Sequence, residues 1–113
     1  MTHHYQCCIE ACSSCMAECE HCTNSCLQEQ DIAALAKCIT LNRDCAAACY
    51  LAVRLMESHS KFAQTFCRLC ADICQECTEE CRKHKMDHCQ KCAEECQRCA
   101  DECRKMSSEK AAA

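Results

Sequence analysis

The sequence predicts an all-α fold: an antiparallel up-and-down four-helix bundle with a cysteine-lined core. Three observations predict it. The 113 residues include no Gly and no Pro, so the residues that build tight β-turns are missing. The 20 cysteines recur at alternating steps of three and four, the spacing that returns a side chain to one face of an α-helix. Four stretches of about 20–27 residues, joined by short connections, suit helices packed against their neighbours in chain order.

The pattern is clearest from Cys67 onward. C-x2-C-x3-C-x2-C-x3-C (Cys67, Cys70, Cys74, Cys77, Cys81) is followed by the same word at Cys89, Cys92, Cys96, Cys99 and Cys103. These thiols take the a and d places that Leu or Ile fill in an ordinary bundle.

The elements follow in order within a single domain, residues 1–113. A first helix is expected over 4–27, with the column Cys8, Cys12, Cys15, Cys19, Cys22 and Cys26; Cys7 lies off that stripe and is grouped with the candidate thiols. Asp31 is placed to cap a second helix over 31–57. Its stripe is mixed: Ile32, Leu35, Cys38, Asn42, Cys45, Cys49, Ala52, Val53 and Met56. Ser58 or Ser60 would cap a third helix over 60–84. Asp87 with Gln90 has the form of a capping box for a fourth over 88–106, leaving 107–113 as a frayed tail.

Antiparallel packing sorts residues by end. Leu55, Met56, Phe62, Phe66 and Met106 gather at one end as an apolar plug. Cys26, Leu35, Cys81, His84, Met86, His88 and Cys89 gather at the other, which carries soft and borderline ligands and is the expected mouth.

Composition narrows the function. Net charge is −4 with both signs interspersed, which offers neither the basic face that nucleic acid needs nor a polybasic membrane patch. The opening MTHHYQCCIE lacks the basic-then-apolar order of a secretory leader, and no apolar run approaches a membrane span. The expected compartment is the cytosol, where thiols stay reduced and many cysteines point to metal. No nucleophile stands out among so many thiols, so the chain is read as a non-enzyme.

Among metals, Cu(I) suits the pattern best. Thiolate is a soft ligand that selects it, and one Cu(I) per thiolate leaves a buried array neutral. Zn(II) in closed four-thiolate sites leaves about −2 per site, so about five sites would bury about −10, which is very costly. A zinc or mixed soft-metal buffer, a disulfide-stapled helical protein and an iron–sulfur protein remain the alternatives. Continuous stripes exceed what stapling needs, and iron–sulfur ligands usually sit in loops near Gly or Pro.

Individual residues carry blander readings too. His84, Met86 and His88 are candidate ligands that receive Cu(I) at the mouth, or else a polar connection between helices. His3 and His4 read as a loose terminus, His21 and His59 as surface residues, and Met16 as an interface side chain. Asn42 takes the place of a thiol, and reads as a buried residue that fixes register or hydrogen-bonds a sulfur.

The stretches CIEACSSCM (Cys8–Met16), CRLCADICQECTEEC (Cys67–Cys81) and DHCQKCAEECQRCADEC (Asp87–Cys103) make the chain resemble the copper storage proteins, across residues 5–106. The resemblance implies a four-helix bundle whose cysteines hold many Cu(I) ions per chain. With no recognisable leader, it looks like the cytosolic branch. That branch implies a homotetramer with histidines at the open end, which carries over onto His84 and His88.

Overall fold

The computed structural model describes residues 5–108. His3, His4 and positions 109–113 of the expected tail lie outside the described residues. Helix α1 spans Gln6–Cys26, α2 Ala36–Glu57, α3 Ala63–Arg82 and α4 Asp87–Ser108, with a 3-10 turn at Ala33–Leu35. At 1.5 Å per residue each helix is about 30 Å long. Each packs on its neighbours in chain order, and α4 closes on α1. Ala71, Ala93 and Ala100 are buried between helices, and Thr78 Oγ1 donates to the Cys74 and Ala93 carbonyls at 2.9 and 3.5 Å, so α3 and α4 approach closely.

The helix starts differ from expectation for local reasons. Asp31 does cap, but its Oδ1 accepts the Ala34 N–H at 3.2 Å and so opens the 3-10 turn. Helix α2 follows from Ala36, and Ile32, expected in its stripe, is exposed. Ser60 Oγ accepts the Phe62 N–H at 3.0 Å, and α3 begins just after. Phe62 therefore precedes the helix and is 60% exposed, with the Lys61 ammonium 5.4 Å from its ring centre. It is no part of the plug.

The plug itself is made by the fully buried Met56, by Met106 with Ala52 and Ala63, and by the half-buried Leu55 and Phe66. Gln64 Nε2 donates to the Met106 carbonyl at 3.4 Å, which ties the start of α3 to the end of α4.

Without glycine, the α2–α3 turn uses His59 in the left-handed region, φ 52°. The Ser60 N–H then reaches back to the Leu55 carbonyl (2.9 Å) and the His59 N–H to Met56 (3.1 Å), a Schellman closure. At the α3–α4 turn, Gln90 serves the preceding helix. Its Nε2 donates to the carbonyls of His84 (2.6 Å) and Arg82 (3.3 Å).

Candidate metal centre

Nineteen of the 20 cysteines are buried, because all four helices turn their three-four columns toward one axis. Cys7 is the exception. It is exposed, since the residue before Cys8 lies about 100° round the helix from it. Its exposure agrees with its expected place off the stripe.

Sulfur atoms from different helices interlock along the axis. Cys8 meets Cys103 at 3.6 Å, Cys12 meets Cys99 at 3.5 Å, and Cys15 meets Cys45 at 3.5 Å and Cys96 at 3.6 Å. Cys45 meets Cys74 at 3.4 Å, and nearer the mouth Cys38 meets Cys81 at 3.4 Å. Four-sulfur groups form whose members all lie within 4.8 Å of one another. They include Cys12–Cys49–Cys70–Cys99, Cys15–Cys49–Cys74–Cys99, Cys15–Cys19–Cys45–Cys96, Cys19–Cys77–Cys92–Cys96 and Cys22–Cys26–Cys38–Cys89. Several share members: among these five, Cys15, Cys19, Cys49, Cys96 and Cys99 each belong to two. A shared sulfur is placed to bridge two ions. Cys67, also fully buried, lines the plugged end.

Asn42 sits among Cys38, Cys77, Cys81 and Cys92. Fully buried, its Oδ1 accepts from Cys77 at 3.1 Å, Cys92 at 3.3 Å and Cys81 at 3.5 Å, and its Nδ2 donates to Cys38 at 3.7 Å. The carboxamide thus occupies a sulfur's place and is satisfied entirely by sulfur.

The network divides the thiols by acidity. Hydrogen bonds from Cys15, Cys19 and Cys49 hold Cys45 low against burial. Cys49 goes the other way, pushed up by its bonds to Cys12, Cys15 and Cys45 and by burial. At the mouth, bonds from Cys38 and Cys81, joined by His88, bring Cys22 to about 5. Burial, then the charge on Cys22, raises Cys26 to about 11.

The two mouth histidines have different surroundings. His88 Nδ1 lies 3.3 Å from Cys22 Sγ and 3.6 Å from Cys89 Sγ, while its Nε2 is 3.0 Å from Glu29 Oε2. Burial pulls its pKa down, but bonds to Cys22 and Glu29 outweigh that and raise it. His84 Nε2 instead meets Glu80 Oε2 at 2.9 Å. The Glu80 carboxylate is buried, with Lys83 at 3.3 Å and Lys37 at 3.9 Å. Burial pushes its pKa up, and the bonds from His84 and Lys83 outweigh it and hold it low. Met86 is half-buried against the core, Leu35 roofs that end fully buried, and His21 and His59 are exposed.

The sequence profile of the copper storage proteins matches residues 1–108. The chain belongs to the copper storage protein family. It is 48% identical to the uncharacterized cysteine-rich protein YhjQ of Bacillus subtilis (strain 168) over 88 residues, 78% of this chain and 82% of that one. Among solved structures it is similar to the Cu(I)-bound copper storage protein BsCsp3, with a TM-score of 0.90, 48% identity and coverage of 93% of this chain and 99% of that one. It is also similar to a cytosolic copper storage protein from Streptomyces lividans carrying five coppers, with a TM-score of 0.91, 31% identity, and coverage of 96% and 95%. Family and fold agree with what the cysteine columns imply.

Sequence reasoning found the lining thiols and the sulfur-bonding role of Asn42. It missed Glu29 and Glu80. Glu80 carried a weak signal, since it stands four residues before His84 and would share its face on the expected helix over 60–84; α3 in fact ends at Arg82. Glu29 carried none, because it reaches His88 from 59 positions away.

Proposed function

We infer that this protein stores Cu(I) within its bundle, on the order of one ion per lining thiol because thiolates bridge. The observation that carries the reading is the set of interlocked four-sulfur groups: shared members link four of the five into one run of thiols, and the contacts of Cys81 with Cys77 (4.0 Å) and Cys38 (3.4 Å) carry that run on to the mouth group. A series of closed zinc sites would require unshared quartets and would bury net negative charge.

Ions enter at the His88 end. His88 presents Nδ1 to two sulfurs there, and Met86 lies alongside. His84, engaged by Glu80, is the lesser partner. The test is anaerobic titration of the fully reduced protein with Cu(I), with metal and protein quantified after gel filtration. Retention approaching the lining-thiol count is expected, and saturation at a few ions overturns the reading.

The working compartment is the cytoplasm. Free thiols suit a reducing environment, the Streptomyces relative is cytosolic, and no described helix is long and apolar enough to cross a membrane. The assembly is a homotetramer. In support, the exposed Leu51 of α2 lines a mainly apolar groove with Leu41, Ala47, Phe66 and Ile73, edged by Asp44 and Glu76. Sedimentation should give a particle about four times the 12.7 kDa chain; a monomer at micromolar concentration excludes it.

A further inference from the structure

The connection between α1 and α2 does more at the mouth than join two helices. Its backbone rolls off the end of α1 through successive turns: Leu27 N–H to Thr23 O, Gln28 N–H to Ser25 O, and Glu29 N–H to Cys26 O at 3.1 Å. Glu29 is thereby anchored above Cys26, itself one of the mouth thiols. From there its carboxylate reaches His88 on α4 at 3.0 Å. The other face of the same ring looks onto Cys22 and Cys89. His88 is only 14% exposed, whereas Glu29 is 37% exposed, so the carboxylate closes the solvent side of a ring whose inner side faces sulfur.

We propose that Glu29 is the positioning residue for His88: by holding Nε2–H, it aims the Nδ1 lone pair at Cys22 and Cys89. This rests on the reading of His88 as the residue that first meets incoming Cu(I). A carboxylate only accepts hydrogen bonds, so Nε2 must carry a proton. A neutral imidazole has one N–H, so Nδ1 is then the nitrogen left free for a soft cation. If the ring is protonated, Nδ1 is the nitrogen that gives up its proton when the ion arrives, because the carboxylate retains the other. Carboxylates behind metal-binding histidines fix ring orientation in this way.

The remaining groups around His88 do not compete for Nε2. Glu18, His21, Asp87 and Lys91 line the surface cleft beside the ring, and Glu29 is the partner within bonding distance of Nε2. His84 has a carboxylate of its own in Glu80, but Glu80 is pinned between Lys83 and Lys37. The same residue pair therefore gives an oriented ligand in one case and a salt-bridge network in the other.

The test uses the full-length, reduced, metal-free chain and the variants Glu29→Ala, Glu29→Gln and His88→Ala. Long-range ¹H–¹⁵N spectra, recorded above the titration range of the ring, report which nitrogen of His88 is protonated. Wild type should show the Nε2–H tautomer, Glu29→Gln should keep it because the amide oxygen still accepts, and Glu29→Ala should show a mixture.

Transfer of Cu(I) from a chromophoric chelator should slow by about tenfold in Glu29→Ala, the lower end of the range for outer-sphere partners. It should slow far less in Glu29→Gln. Final capacity should be unchanged in both, and the Glu29→Ala effect should vanish in a His88→Ala background. An unchanged tautomer in Glu29→Ala, or equal slowing with and without His88, overturns the proposal. A wild type that saturates at a few ions would instead overturn the storage reading, and the tautomer measurement is independent of it.

Discussion

Replacing Asn42 by Asp, a change of one atom, tests whether the centre of the lumen is dry and satisfied by sulfur alone. Asn42 is fully buried, and four thiols share its carboxamide. None of those partners is cationic, so an introduced carboxylate would have no compensating charge. Full burial raises a carboxyl pKa by about 3–5 units, from about 3.9 in the unfolded chain to about 7 or above. At about 1.4 kcal/mol per unit, the Asn42→Asp protein loses about 4 kcal/mol at pH 7, against a total of about 5–15 kcal/mol for a domain.

The sign follows from linkage. Below pH ~4 the carboxyl is neutral in both states; its hydroxyl can donate to Cys38 as the amide does, and the variant matches wild type. As pH rises, only the unfolded state ionises, so the deficit grows until the folded pKa is reached. Urea denaturation of both metal-free, reduced proteins, followed by circular dichroism at pH 4 and pH 7, measures it. A deficit below about 1 kcal/mol at pH 7, or one that acid does not relieve, would refute the idea of a dry centre with no cation to compensate a carboxylate.

Apparent Cu(I) affinity should rise by about tenfold per pH unit between pH 6 and 8, as each ion displaces about one thiol proton; competition with a chelator at several pH values checks this. A small alkylating reagent should modify Cys7 rapidly in the folded apo protein and the buried thiols far more slowly, read by intact mass, and Cys7→Ser should leave copper capacity unchanged. Glu80→Gln should cost about 1–2 kcal/mol at pH 7 by breaking its charged hydrogen bonds. Because the Glu80 pKa is held low in the fold, its contribution is present above the unfolded value and lost as pH falls through the folded one, so the two proteins should converge in acid denaturation series. His88→Ala should slow copper uptake more than His84→Ala, with total capacity nearly equal in stopped-flow and endpoint assays.

The buried column was legible because its signal is periodic: three-four spacing fixes a face whatever the residue type, so Cys8 through Cys103 could be placed before any contact was known. Asn42 was legible as a break in that period. The helix starts were less so. Asp31 and Ser60 have the right chemistry for caps, but both act a few residues before their helices, and Phe62 was drawn into the plug by its hydrophobicity alone. The carboxylates at the mouth were the hardest. Glu29 sits on an exposed connection among other polar residues, and its meaning comes wholly from the closure of α4 on α1. Periodicity records which way a side chain faces within its own helix and says nothing of what a loop lays across it.

Helix α2 also differs from its three partners in running out of sulfur early. Beyond Cys49 it continues with Ala52 and Met56, and carbon closes that end of the axis. With carbon at one end, the proposed entry at the His88 end would leave the column no through-flow. Cargo that arrived first would then lie deepest and leave last, so depth along the axis would record arrival order. The ions nearest His88 would then be the working balance of the cell, while those beside Cys8, Cys67 and Cys103 would turn over only when everything above them had been drawn down.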